Sequence, residues 1–451
     1  MGADWLVANF DLCDPDSIAR PESGRSGQGA VVTSDCAIPP GTEYSIIDFA
    51  RRVAVWFRHG EGVAVKLYFD HEGFDGQLQR SIGKADSGMA NVGECLAVAE
   101  KVVPGDRDSW YTAWSGFAER LVEQAREASK GGHRVTARGS YLRAAEYFRQ
   151  AFFFHREDLR AQRLQSAYRA SVEAFRSALG LLDEGVRVLS GDLSGYLFSP
   201  AGIPGPYPTI LHIGGYDGTA EELYASAYPA VSRGYAFAAI DGPGQGGVLY
   251  DHSVPMRPDW ENVLPGMFDA LTELPEVDAA RVVLVGRSFG GFLAPRAASG
   301  EPRLAAMIVD PGQFDMGAAV ARRLGPLAEQ IDDPSSEAEF ERLLELPALK
   351  ALLEPRMTTH GVRSVRGYFS EMMRYTNADA VSRVSCPSFV TDNETDEIST
   401  GQGRELFERL TCPKRFRLFT KEEGAEGHCE GMAPILFWNA SFDWLDSLLA
   451  P

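Results

Sequence analysis

The stretch Arg281-Val282-Val283-Leu284-Val285-Gly286-Arg287-Ser288-Phe289-Gly290-Gly291 runs from an apolar, valine-rich segment into a serine bracketed by glycines. Such a run bounded by glycine predicts a buried strand, and Phe292-Leu293-Ala294-Pro295-Arg296-Ala297-Ala298 behind it is compatible with a helix. A serine between strand and helix, with glycine two positions to either side, reads as a nucleophile elbow. The neighbouring backbone passes so close that side chains would clash, and the turn pushes the hydroxyl into the open. The N-terminus of the following helix helps to hold negative charge there. The same five-residue pattern also describes an ordinary Gly-rich turn, so its meaning depends on its surroundings.

A serine hydroxyl attacks a carbonyl at neutral pH only if an imidazole takes its proton. The imidazole in turn needs a carboxylate to fix its tautomer and stabilise its charged form. Downstream, Pro387-Ser388-Phe389-Val390-Thr391-Asp392-Asn393-Glu394-Thr395-Asp396-Glu397-Ile398 reads as a strand followed by an acidic loop. The loop beyond a strand's carboxyl end is where a parallel sheet presents its working groups. Asp396 is the expected acid, with Asp392 and Glu394 as competitors. Gly424-Ala425-Glu426-Gly427-His428-Cys429 lies between an apolar segment at 416–419 and a closing helix around 437–449, which makes His428 the expected base. His360, in Thr359-His360-Gly361, is the principal rival, and a place lining the substrate pocket is its other reading.

Ile210-Leu211-His212-Ile213-Gly214-Gly215-Tyr216-Asp217-Gly218-Thr219 is an early strand with a Gly-rich turn. Its N–H groups suit a developing oxyanion, so the N–H of Phe289 and that of Gly215 or Tyr216 form the expected hole. Asp217, Arg287, Asp310 and His360 are the candidates for the substrate pocket. Gly242-Pro243-Gly244-Gln245-Gly246-Gly247 formally matches a dinucleotide fingerprint. Pro243 removes an N–H that a pyrophosphate cradle would use, and Pro255 and Pro258 interrupt the segment that should be its helix, so it reads instead as a rigid loop beside the site.

The 451 residues, 44% of them hydrophobic, suffice for a catalytic domain with an accessory module. Residues 1–107 read as an N-terminal arm and the start of a cap, with no sustained apolar period in the first forty. Residues 108–184 read as a helical cap, in which Trp110, Trp114, Phe117 and Leu121 recur at helical spacing, and the aromatics Trp110, Tyr111 and Trp114 are expected to pack on the core domain or on a second subunit. From 185 to 451, apolar runs at 186–189, 196–198, 210–213, 235–240, 282–285, 305–309 and 388–390 alternate with helical or turn segments, which predicts a doubly wound, mostly parallel sheet. The alternation stops at about 315–383, where helix formers suggest a lid over the functional edge.

A formal net charge of −19 argues against nucleic acid and anionic membrane as partners and for a small molecule. The six cysteines form no C-x-x-C pair, which argues against a zinc site and a disulfide framework. With no leader-like N-terminus and no long apolar run, the expectation is a cytoplasmic protein that needs neither metal nor organic cofactor, with a homodimer as an open alternative.

Taken together, Gly214 to Gly218, Asp241 to Gly246, Gly286 to Gly291 and Asp310-Pro311-Gly312-Gln313-Phe314-Asp315 resemble the α/β-hydrolase group that contains 2,6-dihydroxypseudooxynicotine hydrolase and the fungal naphthopyrone chain-shortening hydrolases. The helical module resembles that group's cap. The resemblance implies an α/β-hydrolase fold, a Ser288–His428–Asp396 triad acting through an acyl-enzyme, and a carbonyl substrate of secondary metabolism, small and largely apolar or aromatic. The scissile bond is then a carbon–carbon bond beside a ketone or an ester. An acyltransferase, lyase or cyclase on the same triad, or a non-catalytic binding protein on the same fold, are the alternatives.

Overall fold

A computed structural model describes residues 66–449 apart from 192 and 397. The arm expected over the first forty residues lies outside the described residues. Five helices open the described chain: α1 (Glu72–Ile82), α2 (Val92–Ala99), α3 (Arg107–Lys130), α4 (Arg134–Phe152) and α5 (Gln162–Leu179). Their starts are written in the sequence. Asn91 accepts the N–H of Glu94 at 3.2 Å, and Asp106 accepts those of Asp108 and Ser109 at 2.9 and 3.2 Å, so each side chain satisfies amides that the first turn leaves without intrahelical partners.

Trp110, Trp114, Ala118, Leu121, Ala125 and Ala128 form the buried stripe of α3. The second half of α4 is buried all round, from Ala144 to Phe152, because it is sandwiched between neighbours. Trp110 and Trp114 pack against each other inside this module, with Trp110 Nε1 donating to the Gln150 carbonyl at 2.8 Å, and neither ring faces outward. Phe175 of α5 meets Tyr196 and Phe198, which docks the helices on the sheet.

The sheet has eight strands in the order β1-β2-β4-β3-β5-β6-β7-β8: β1 (Gly185–Leu189), β2 (Ser194–Ser199), β3 (Tyr207–Ile213), β4 (Ala236–Asp241), β5 (Val277–Arg287), β6 (Ala306–Asp310), β7 (Ser388–Asn393) and β8 (Lys414–Phe419). β1 and β2 pair antiparallel, as do β2 and β4, and every other pairing is parallel. This is the doubly wound, mostly parallel sheet that the alternation predicts. Successive residues of a strand point to opposite faces. Leu211, Ala238 and Leu284 accordingly join one core, and Ile210, Phe237 and Val283 join the other, with the module's aromatic residues. Because both faces are covered, the central strands read as continuous apolar runs.

The further helices of eight or more residues are α6 (Tyr224–Val231), α7 (Leu264–Thr272), α8 (Gly290–Ala298), α12 (Gln402–Arg409) and α13 (Pro434–Leu449), with α9 (Met316–Leu324), α10 (Pro347–His360) and α11 (Val365–Met372) between β6 and β7. Leu353, Val365, Tyr368 and Met372 of these last helices join the same core as Phe289. The chain runs outward from β3 to β4 on one side and to β5 on the other, so the crevice between the carboxyl ends of β3 and β5 is a topological switch point, where such sheets bind ligands. Among the described residues, no helix is long and apolar enough to cross a membrane, and no cluster of His, Cys, Asp and Glu is arranged to hold a metal ion.

Candidate active site

Ser288 stands where β5 gives way to α8, with φ at +58°. A non-glycine residue in the left-handed region is strained by about 1–3 kcal/mol, and here the Ser288 N–H is held by the Asp310 carbonyl at 2.7 Å. The bracketing glycines are explained by space. A Cβ on Gly286 would strike the Gly290 carbonyl oxygen and lie 2.7 Å from the Ala294 Cβ, and one on Gly290 would lie 2.7 Å from the Ile213 carbonyl oxygen. The same closeness brings the end of β3 against the elbow.

His428 Nε2 lies 2.8 Å from Ser288 Oγ, and His428 Nδ1 lies 2.8 Å from Asp396 Oδ2. The other carboxylate oxygen accepts the N–H groups of Ile398 and Ser399 at 2.8 and 3.4 Å. Burial pushes the Asp396 carboxyl up, but the charge and hydrogen bond of His428 with those two N–H groups outweigh it and hold the group below the usual carboxylate range. For His428, burial disfavours the cation while Cys429 and Asp396 favour it, and the balance lies well above the ordinary histidine value. The competing acids stand elsewhere: Asp392 accepts its neighbour Asn393 N–H at 3.0 Å, and Glu394 accepts that of Lys421 at 3.0 Å.

Gly215 faces the elbow so closely that a Cβ there would lie 2.9 Å from both the Phe289 nitrogen and Ser288 Oγ. The Tyr216 ring stacks on that of Phe289, centroids 4.1 Å apart. Gln245 holds this loop in place. Its amide nitrogen donates to the Gly214 and Gly215 carbonyls, and its oxygen accepts the Gly242 N–H at 2.9 Å. The loop from Asp241 to Gly247 thus braces the Gly214–Gly215 turn, and Gln245, which does so, is a residue that sequence reasoning did not single out; a polar side chain inside a Gly-rich loop was its only signal.

A cavity of about 440 Å³ opens onto Ser288, Gly215 and His428. Asp217 and Arg287 line it. Two other pocket candidates take different places. Asp310 is fully buried at the end of β6, where it accepts Arg287 Nε at 2.7 Å and the Thr391 hydroxyl at 2.7 Å, because an uncompensated carboxylate there would be costly. His360 is buried at the end of α10 between the hydroxyls of Tyr216, 2.8 Å from Nε2, and Tyr375, 3.1 Å from Nδ1. Burial and the Arg356 charge push its pKa down to about 3, so this imidazole is neutral and fully engaged, unlike a free base.

The alpha/beta hydrolase family profile matches residues 210–433, and that of esterase FrsA-like proteins matches residues 97–314, across the junction of helices and sheet. The alpha/beta hydrolase xenA of Xenoacremonium sinensis is 32% identical over 366 residues, covering 74% of this chain and 83% of that protein. The chain belongs to the alpha/beta hydrolase family. This hydrolase is also 38% identical over 262 residues to the 20-hydroxy-prefusarin hydrolase FUS2 of Gibberella moniliformis, covering 55% of this chain and 62% of that one. Among solved structures, 2,6-dihydroxy-pseudo-oxynicotine hydrolase superposes on the hydrolase with a TM-score of 0.64 at 23% identity, covering 82% of this chain and 95% of that one, which extends the shared fold over the helical module.

Proposed function

We propose that this hydrolase is serine-dependent and cleaves an acyl bond, a carbon–carbon bond beside a ketone or an ester, in a small, largely apolar, aromatic or polyketide-like compound. The observation that carries the reading is the chain of two 2.8 Å contacts from Ser288 through His428 to Asp396 at the mouth of a cavity. FUS2, by its name, acts on a small organic molecule, which supports a secondary-metabolite substrate class.

In this mechanism the Ser288 proton passes to His428 Nε2 as Oγ bonds to the substrate carbonyl carbon. The carbonyl oxygen becomes an oxyanion held by the N–H groups of Phe289 and of Gly215 or Tyr216. The tetrahedral centre collapses, the leaving group departs with its bonding electron pair, and His428 returns the proton to it. Water, deprotonated by His428, then hydrolyses the acyl-enzyme to the acid and free Ser288. A carbon leaving group needs its electron pair delocalised, so β-dicarbonyl or acylated phenolic compounds fit; an ester uses the same groups.

Intact-mass labelling with a fluorophosphonate tests the reading. One adduct on the native chain, absent from Ser288→Ala and His428→Ala, is expected. Turnover in ¹⁸O-water is then expected to leave solvent oxygen in the acid product. No adduct with any organophosphate, large or small, would overturn the proposal.

A further inference from the structure

The cavity above Ser288 has walls of unequal charge. Arg80 and Lys84 line it from the helical module, and Arg356 lines it from α10. Arg80 donates twice to Glu222 at 2.7 Å, and Lys84 reaches Glu222 at 2.5 Å and Glu146 at 2.8 Å. Glu146 also takes the guanidinium of Arg149 at 2.8 Å. Three cations therefore share two carboxylates. Asp217 is paired with Arg156, and Arg356 lies over the Tyr216 ring, 4.5 Å from its centroid, and beside Tyr368, drawing only on the charge of the same Asp217, which Arg156 and Arg80 share. Five positive groups thus face Glu146, Asp217 and Glu222 in a chain whose net charge is −19.

Arg287, the cation nearest the nucleophile, is matched by Asp310 and adds nothing to this excess, and Asp86 sits on the exposed rim. Leu223, Pro229, Pro434, Ile435 and Trp438 give the same cavity apolar surface. Surplus positive charge in a partly desolvated wall is costly alone and favourable once an anion enters. Guanidinium groups suit planar oxyanions in particular. Burial first, and the Arg149 charge second, hold Lys84 down at about 8, which agrees with a desolvated wall where cations crowd.

We propose that Arg80, Lys84 and Arg356 form a subsite for an oxyanion on the substrate, a carboxylate or an ionised enol, with the apolar remainder lying toward Ile435 and Trp438. This rests on the hydrolase reading and narrows its substrates to acidic carbonyl compounds.

Calorimetric titration of the full chain with 4-phenylbutyrate against 4-phenylbutyramide, and with an acidic cyclic 1,3-diketone against its enol methyl ether, tests it. Each anion is expected to bind at least about tenfold more tightly than its neutral twin. The pair with the larger ratio identifies carboxylate or enolate as the source. Arg356→Met and Lys84→Met, each checked for a native melting transition, are expected to bring that ratio toward one. If either fails to fold, Arg356→Gln and Lys84→Gln replace them. Equal binding of acid and neutral twin by the native chain, or a ratio unmoved in folded variants of both positions, would overturn the subsite. Because binding is read without turnover, a chain whose Ser288 takes no organophosphate yet prefers the anions would lose the hydrolase reading and keep the subsite.

Discussion

Arg287 Nε donates to Asp310 Oδ2 at 2.7 Å, and its NH2 group reaches the Cys429 carbonyl at 2.9 Å and Glu430 at 3.1 Å. The residue before Ser288 therefore ties the end of β5 to the end of β6 and to the loop that carries His428. Burial, and then the Asp310 charge, push the Glu430 carboxyl well above its ordinary range, so Arg287 faces one buried carboxylate rather than two. Arg287→Met leaves the buried Asp310 carboxyl without its cation, and a loss of about 3–5 kcal/mol in urea unfolding is expected. Adding Asp310→Asn should recover part of it, as coupled partners do. Additive losses in the double variant would mean that the two side chains do not stabilise each other.

The raised pKa of His428 has a sign that can be measured. The imidazole serves as base only when neutral, so kcat/KM should fall as pH drops through that pKa, placing the acid limb above the ordinary histidine value of about 6.5. In Asp396→Asn the attractive charge is removed while burial remains, so the limb should move to lower pH. The rate at the optimum should fall by about 10⁴-fold, because the tautomer is no longer held. A pH–rate profile of both proteins checks this, and an unmoved limb would separate Asp396 from the titration.

Gly215 is confined by the site and not by its backbone, since its φ is outside the left-handed region. Gly215→Ala should therefore meet no backbone strain of its own but press a methyl group against the Phe289 nitrogen and Ser288 Oγ, at about 1–3 kcal/mol of overpacking. A kcat lower by about 10²–10³, comparable to loss of one oxyanion donor, is expected in a chain that still folds with a lowered melting temperature. Full activity in a folded Gly215→Ala would move the oxyanion away from this loop.

The elbow, the sheet and the placing of Asp396 and His428 were legible because each follows from local rules: glycine where backbones nearly touch, apolar runs where both faces are covered, loops at strand ends. The charge network was not. Glu146 and Lys84 are 62 residues apart, and Arg80 and Glu222 are 142 apart, so no window of sequence contains either pair, and only Glu146 and Arg149, three apart on α4, are neighbours in the chain. Asp310 and His360 were misplaced in the pocket for a related reason. Both lie near the site in the chain's topology, yet their partners, Arg287 and the two tyrosines, draw them into buried hydrogen bonds. The final strand carried a weak signal because Lys414, Arg415 and Leu418 are exposed at the sheet edge, where an apolar run is not required.

His360 gives the sharpest test of that correction. A neutral imidazole has one donor and one acceptor nitrogen, so one of Tyr216 and Tyr375 donates to it and the other accepts. His360→Phe preserves an aromatic ring but leaves two buried hydroxyls without these partners, at about 1–3 kcal/mol each, less what Tyr216 retains through its contact with Met372 Sδ. The melting temperature should fall. Turnover should fall with it, since Tyr216 stacks on Phe289, whose N–H is the proposed oxyanion donor. The acid limb of the pH profile should stay where it is, because an imidazole held at about 3 does not titrate in the working range. A limb that disappears in His360→Phe and persists in His428→Ala would make His360 the base, whereas a stability loss with an unmoved limb fixes it as the tie between α10 and the Gly215 loop.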